Sequence, residues 1–291
     1  MFCVREFRFE ACFGLGAGVN KGLAKLQLMY ETRQSSASLS DFYLTDPVGF
    51  PKRFTERRDV ETAALIASLF AIGPRYAILR SLEKIFSELH GSPHESILNF
   101  DFERTLSNLK GHIQFAYKNI TDRDAVQILY SVSSILNKHG TVEHALRSSA
   151  DGSGAGAFEI LTGLLEEMKS AKMPRSLGGH LTPRAGALLA SPRQGSACKR
   201  MNMFLRWMTR KDEIDFGFYD WLGTDKLVIP LDVNVSRAAR KLNLTKRRTD
   251  NWKTAEEITQ QLKTLDPADP VKYDVPLFLY GIELRKGRHA A

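Results

Sequence analysis

Apolar residues recur at intervals of three and four along most of this 291-residue chain, the spacing that lines one face of a helix. Leu65, Leu69 and Ile72 share such a face, and Gly73-Pro74 ends that segment. The alternation of apolar and polar residues that is typical of strands is short and rare. The sequence therefore predicts an all-α fold. Two further segments repeat the helical pattern, at Ile78, Leu82, Ile85 and Leu89 and at Ala125, Ile128, Val132 and Ile135.

Residues that favour helix starts support this prediction at three places. Thr121 is followed three residues later by Asp124, which is the pattern of a capping box before a long helix. Thr141 precedes the short segment VEHAL and is expected to cap it. Thr254 and Glu257 have the same capping-box spacing near the C-terminal end.

The length is sufficient for one large domain or two lobes. The small-residue segment DGSGAGAF, at Asp151–Phe158, favours a linker and divides the chain into lobes at about 59–150 and 158–291. Residues 1–22 show no regular period. We therefore expect a peripheral N-terminal extension, followed by a folded body over residues 23–291.

The three cysteines, Cys3, Cys12 and Cys198, do not form a disulfide framework, which favours a reducing compartment. Their number also excludes a four-cysteine iron–sulfur cluster, and we expect neither a cofactor nor a bound metal. Charged residues interrupt the aromatic N-terminal segment, which argues against a signal peptide. No run of about 18 apolar residues indicates a membrane span. We expect a cytoplasmic monomer.

The net charge of +8 is compatible with a polyanionic partner such as nucleic acid. It is not specific, because many soluble proteins are basic without binding nucleic acid. The choice between these classes depends on the motifs.

One stretch, Ser196–Leu244, carries the residues with chemical potential. It begins GSACKRMNMFLRWMTRKD, in which Ser196 or a neighbouring small residue is expected to cap a helix with Lys199 in its first turn. The positive end of that helix and the adjacent Arg200 favour a neutral amine, the form that acts as a nucleophile. The ordinary alternative is a solvated lysine at a helix start.

Asp232 follows Lys199 by thirty-three positions and comes directly after the apolar segment VIPL. It is expected to open a helix as its N-cap, a role for which aspartate is well suited. A carboxylate fixed in this way stays ionised and can stabilise a positively charged sugar in a transition state. The capping role and the chemical role are compatible. The other face of the same helix carries cations that favour phosphate contacts or, alternatively, a solvated surface: Arg237, Arg240 and Lys241.

Two resemblances follow from these segments. The segment PLDVNVSRAARKLNL resembles the helix-hairpin-helix DNA glycosylases around their catalytic aspartate, and DVETAALIASLFAIGPRYAILRSLEKIF resembles the helix pair that opens their central lobe. The separation of lysine and aspartate is most similar to that of archaeal 8-oxoguanine DNA glycosylase. From about Leu23 the chain also resembles a bacterial family of uncharacterised proteins, through DPVGFPKRF, GSACKRMNMFLRWMTRKD, IPLDVNVSRAARKLNL and DPADPVKYDVPLFLYGIE.

The chain departs from the glycosylase pattern at two places. Val233-Asn234 follows Asp232 where the glycosylases have Thr-His. PRQGSAC, at Pro192–Cys198, stands in place of the hairpin sequence Leu-Pro-Gly-Val-Gly. These differences bear on whether chemistry and the phosphate-binding hairpin are both retained.

The glycosylase resemblance implies a two-lobed helical bundle that flips a damaged nucleotide, such as one with an oxidised base, out of duplex DNA. Lys199 would attack the sugar C1′ and form a Schiff base, Asp232 would stabilise the sugar cation, and β-elimination would nick the strand. Arg200 and Arg206 would contact phosphates or hold Asp232. Candidates for stacking on the base, each alternatively a core residue, are Trp207, Phe218, Tyr219 and Trp221.

Two other function classes remain open from the sequence. The first is a non-catalytic helical protein that binds nucleic acid on the same scaffold. The second is an unrelated all-α enzyme or interaction module. The relative positions of Lys199 and Asp232 discriminate between chemistry and binding alone.

Overall fold

The computed structural model describes residues 21–34, 45–109, 120–150 and 154–287. Thirteen α-helices occur in these ranges and no β-strand does, so the predicted all-α class is confirmed. The predicted N-terminal extension lies outside the described residues except for its last two positions. The helices are α1 (Lys21–Gln34), α2 (Arg57–Leu69), α3 (Arg75–Ser87), α4 (Pro93–Leu98), α5 (Phe102–Asn108), α6 (Asp122–His139), α7 (Val142–Ser148), α8 (Ala157–Ser170), α9 (Pro183–Leu188), α10 (Lys199–Thr209), α11 (Val233–Lys241), α12 (Trp252–Lys263) and α13 (Asp274–Gly287).

The helix starts follow the capping chemistry in two of the three predicted places. The Thr121 backbone N–H donates to Asp124 Oδ2 at 2.7 Å, and the Asp124 N–H donates to Thr121 Oγ1 at 3.4 Å, which completes the capping box of α6. Thr141 caps α7 as expected. The prediction for Thr254 is wrong, because Asn251 caps α12 three residues earlier and Thr254 is buried inside the helix.

The buried apolar side chains form two clusters. The larger core contains side chains of α2 to α10, and the smaller core contains side chains of α1, α11, α12 and α13. Helix α8, which follows the predicted linker, packs on α6 and α7 within the larger core. Most of the smaller core comes from α1 and from Ile229 onward, while Trp252 and Val271 pack into the larger core. The division into lobes at about 59–150 and 158–291 stays a prediction.

Helix α11 is held in the smaller core by two glycines. A Cβ at Gly22 of α1 would overlap the carbonyl oxygen of Leu242, at the C-terminal end of α11. A Cβ at Gly281 of α13 would overlap the carbonyl oxygen of Asn234, at its N-terminal end. Only a residue without a side chain permits such close backbone approach. None of the described helices combines the length and apolar character needed to cross a bilayer.

Candidate active site

Lys199 and Asp232 lie side by side. Lys199 is the first residue of α10, Asp232 is the N-cap of α11, and the Lys199 Nζ atom is 4.0 Å from Asp232 Oδ2. The two side chains are 35% and 17% exposed, so the pair is sheltered but reachable from solvent. Helix α10 belongs to the larger core and α11 to the smaller one. The two residues singled out in the sequence are therefore brought together where the cores meet.

The two carboxylate oxygens of Asp232 have different partners. Oδ1 accepts hydrogen bonds from the backbone N–H groups of Asn234 at 2.8 Å and Val235 at 2.9 Å. These bonds satisfy two of the free donors at the start of α11 and fix the side chain. Oδ2 faces Lys199. Capping thus uses one oxygen of the carboxylate and leaves the other directed at Lys199.

The segment before Lys199 turns sharply into α10. Cys198 has a left-handed backbone with φ of 46° and occupies the N-cap position, where the sequence predicted Ser196 or a small neighbour. The Ser196 hydroxyl instead accepts from the Cys198 N–H at 3.1 Å, and the Cys198 thiol donates to the Ala190 carbonyl oxygen at 3.2 Å. Burial raises the pKa of the Cys198 thiol to about 11. It is therefore a packed thiol and not a nucleophile.

Arg200 has a structural role. Its guanidinium donates to the carbonyl oxygen of Leu69, the last residue of α2, and to that of Leu188 at 2.7 Å, the last residue of α9. Burial lowers the pKa of Arg200 to about 10. The guanidinium is thus engaged with two backbone carbonyl groups in this structure, and a phosphate contact of Arg200 stays a prediction.

Arg206 lies in a buried ion network at the other end of α10. Its guanidinium contacts Asp274, and it donates to Asp215 at 3.1 Å, while its side chain is 6% exposed. Arg210 continues the network through Asp215, Asp212 and Asp269. Among the described residues the ion pairs of Arg206 are with Asp215 and Asp274 rather than with Asp232, and they tie α10 to the start of α13.

Two carboxyl groups near the pair were not found by sequence reasoning. Asp46 accepts from the Val48 N–H at 3.2 Å, its Oδ2 is 3.7 Å from an Arg75 nitrogen, and burial raises its pKa against the opposing charges of Arg75 and Lys199. Asp274 has its pKa raised to about 6 by burial, against the lowering effect of Arg206. The segments DPVGFPKRF and DPADPVKYD were interpreted only as turns, and no local pattern marks their aspartates as neighbours of Lys199.

The aromatic candidates lie away from the pair. Trp207 is 1% exposed and is a core residue. The segment with Phe218 and Trp221 is attached at the C-terminal end of α10, where the Tyr219 N–H donates to the Met208 carbonyl oxygen at 2.8 Å. Met208 follows Lys199 by nine positions in α10, which corresponds to about 14 Å along the helix. A role for Phe218 or Trp221 in stacking on a base stays a prediction.

Comparison with known protein families matches residues 46–283 to DUF2400, a family of proteins of unknown function. The chain belongs to the DUF2400 family. The predicted membership of an uncharacterised family is thereby confirmed. No curated protein and no solved structure matches the chain. The match begins at Asp46 and contains Lys199, Asp232 and Asp274, so the whole site lies within the DUF2400 region.

An open depression of this DUF2400 protein lies between α11 and α13, and its lining includes neither Lys199 nor Asp232. It has a volume of about 830 Å³ between α11 and α13 and starts at Val233, which is 64% exposed and follows Asp232. Three cations and two carboxylates line it. The lining residues are Val233, Ser236, Arg237, Arg240, Lys241, Asp250, Glu283, Leu284 and Gly287.

The three predicted phosphate-binding residues of α11 are not equivalent. Arg237 Nη1 donates to Asn234 Oδ1 at 2.9 Å and to the Gly281 carbonyl oxygen at 3.0 Å, which bridges α11 and α13. Arg240 is paired with Asp250 at 2.6 Å. Lys241 is exposed. Arg237 and Arg240 are therefore fixed by protein partners, whereas Lys241 is exposed to solvent.

Proposed function

We propose that this DUF2400 protein is a DNA glycosylase with AP lyase activity, acting on a damaged base. The observation that supports the proposal is the 4.0 Å approach of Lys199 Nζ to Asp232 Oδ2 at a partly exposed position. A primary amine beside a fixed carboxylate is the arrangement that attack on a sugar C1′ requires. This observation does not depend on the net charge of the protein, because it concerns the distance between two side chains.

The chemistry proceeds in five steps. The C1′–N bond breaks with its electron pair on the base, which takes up a proton, and Asp232 stabilises the sugar cation. The Lys199 lone pair forms an N–C1′ bond, and its proton passes to Asp232. Ring opening with protonation of O4′ gives the Schiff base. Loss of a C2′ proton then expels the 3′ phosphate and nicks the strand, and water hydrolyses the imine to free Lys199.

The depression between α11 and α13 supports DNA as the substrate. It begins at Val233, next to Asp232, and Lys241 projects at its far end. A duplex placed with its backbone along α11 would bring a flipped nucleotide to the pair. The net charge of +8 adds long-range attraction for a polyanion.

Borohydride trapping on duplexes that contain oxidised, alkylated or abasic sites tests the proposal. Borohydride reduces a Schiff base to a stable amine, so the wild-type protein should become covalently linked to DNA. Lys199→Gln should abolish the link, and Lys241→Gln, which removes the same charge, should retain it. Asp232→Asn should slow excision strongly with little loss of affinity, because Asn caps a helix nearly as well as Asp. A wild-type protein that traps none of these substrates would overturn the assignment.

A second candidate function is nucleic-acid binding without chemistry. It is favoured by one observation: the aromatic rings expected to hold a flipped base lie at the far end of α10. Salt-sensitive binding to duplex DNA by both the wild-type protein and Lys199→Gln, with no trapped complex from either, would support this alternative.

A further inference from the structure

Asp274 opens α13 and faces α10 from within the protein. It is 8% exposed, and its carboxylate contacts the guanidinium of Arg206. Arg206 follows Lys199 by seven positions, so both lie on one face of α10, about two turns apart. Asp274 therefore packs on the same helix face that carries the proposed nucleophile.

The charged groups that act on Asp274 come from two elements. Helix α10 contributes Arg206 and Lys199, and the start of α11 contributes Asp232, each of which acts on Asp274 electrostatically. The neighbouring charges on the other packed elements are directed elsewhere. Lys25 of α1 donates to the Tyr280 hydroxyl at 2.9 Å, and Lys272 of the preceding turn binds Asp266 at 2.6 Å.

Arg206, Asp232 and Asp274 differ in the partners that compensate their charges. Arg206 is shared between Asp274 and Asp215, so its charge is compensated when one of these carboxyls is neutral. Asp232 Oδ1 accepts from two backbone N–H groups, so this carboxylate is engaged in capping α11. Asp274 has no backbone donor of this kind among its described hydrogen bonds, and burial is the largest influence on it. Of the two carboxyls, Asp274 and Asp232, only Asp274 can gain a proton without disturbing the N-cap of α11.

We propose that Asp274 is a positioning residue of the lysine site, which acts through Arg206 and through its own charge on the Lys199–Asp232 pair. This inference rests on the proposed glycosylase function. Ionised Asp274 anchors α10 to α13 and adds negative charge beside Asp232, where the sugar cation forms. Protonated Asp274 keeps the contact but removes that charge. Base excision is therefore fast with ionised Asp274 and slow with protonated Asp274.

The test is the pH profile of single-turnover base excision. Wild-type protein should show an acid-side inflection near pH 6, the value to which burial raises the pKa of Asp274. Asp274→Asn should lack this inflection and be roughly tenfold slower at pH 7.5, the order expected for the loss of one nearby charge. Asp269→Asn, which removes a carboxylate bound to Arg210 in the same network, should retain the inflection. Equal losses at all pH values in both variants, with the inflection kept, would show a merely structural role.

A readout without DNA separates this inference from the proposed function. Reductive methylation with ¹³C-formaldehyde labels Lys199, and its methyl resonance should shift with an inflection near pH 6 in the wild-type protein. The inflection should be absent in Asp274→Asn. A wild-type protein with that inflection but no excision would overturn the glycosylase proposal and retain the coupling of Asp274 to Lys199. A Lys199 resonance that does not respond near pH 6 would overturn the coupling, even if Asp274→Asn fails to fold.

Discussion

Gly281 of α13 lies directly against the backbone carbonyl of Asn234 in α11, with no room for a methyl group between them. Asn234 is two residues after Asp232, and its N–H is one of the two donors that fix the Asp232 carboxylate. The same crossing is bridged by Arg237, which donates to the Gly281 carbonyl oxygen at 3.0 Å. The closeness of these two helices thus determines where Asp232 stands.

Gly281→Ala should lower the free energy of unfolding by roughly 1–3 kcal/mol, because the added methyl group forces α11 and α13 apart. The gain in helix propensity, at most about 1 kcal/mol, is smaller than this cost. Urea unfolding measures the change. Gly186→Ala is the matched control, since a Cβ there meets nothing within 4 Å, and it should not destabilise the protein. Equal stabilities for the two variants would contradict the packing argument.

Asp124→Asn should destabilise the protein at neutral pH by about 1–3 kcal/mol. Burial acts to raise the pKa of Asp124, but hydrogen bonds from Thr182, Thr121 and Arg184 outweigh it and hold the pKa below its usual value. A lowered pKa gives stability above the unfolded value of about 4, and this stability is lost as the pH falls further.

The difference between the wild-type protein and Asp124→Asn should therefore shrink between pH 7 and pH 3, as measured by urea midpoints. Asp101→Asn is the control, because Asp101 is a helix N-cap and Asn caps comparably. A gap for Asp124→Asn that stays constant down to pH 3 would contradict the assigned charge.

Arg200→Met should cost about 2–4 kcal/mol of stability, because it leaves the carbonyl oxygens of Leu69 and Leu188 without their donor. Thermal and urea unfolding measure this loss. Arg193→Met removes an exposed ion pair with Glu166 and should change stability by less than about 0.5 kcal/mol. If Arg200→Met lost DNA affinity without losing stability, the result would contradict the structural role and support the predicted phosphate contact of Arg200.

Lys241→Gln should reduce the slope of log affinity against log salt for duplex DNA by about one, because one fewer counterion is released. Filter binding at a series of salt concentrations gives the slope. Lys138 of α6 is paired with Glu167, and Lys138→Gln should leave the slope unchanged. Identical slopes for Lys241→Gln and the wild-type protein would remove Lys241 from the DNA interface.

The sequence was sufficient for the helical class and for the lysine–aspartate pair. Periodic apolar spacing depends only on local geometry, and both Lys199 and Asp232 begin helices after recognisable breaks. Helix starts with two competing caps were harder to predict, because Asn251 and Thr254 are both acceptable caps and packing decided between them.

The remaining site residues depend on tertiary packing. Asp46 and Asp274 approach Lys199 from turns that are distant in the sequence, and nothing in either turn signals this. Arg200 and Trp207 have residue types typical of DNA contacts, but α10 is surrounded by other elements over most of its length. The spacing of apolar residues predicts which face of α10 is buried, but it does not show that other elements also pack on the remaining faces.

Helix α1 packs on α13 and on the turn that precedes it, at the other end of the described chain. The Lys25 ammonium donates to the Tyr280 hydroxyl across 255 positions, and Leu23 and Leu26 are buried in the smaller core. On the ribosome, α1 therefore emerges first and stays without its partners until α11 and α13 have been synthesised. A nascent chain already carries Lys199 while Asp232 and Asp274 are still untranslated. The amine thus meets its carboxyl partners only after translation has passed α13, so an unfinished polypeptide cannot contain the assembled site.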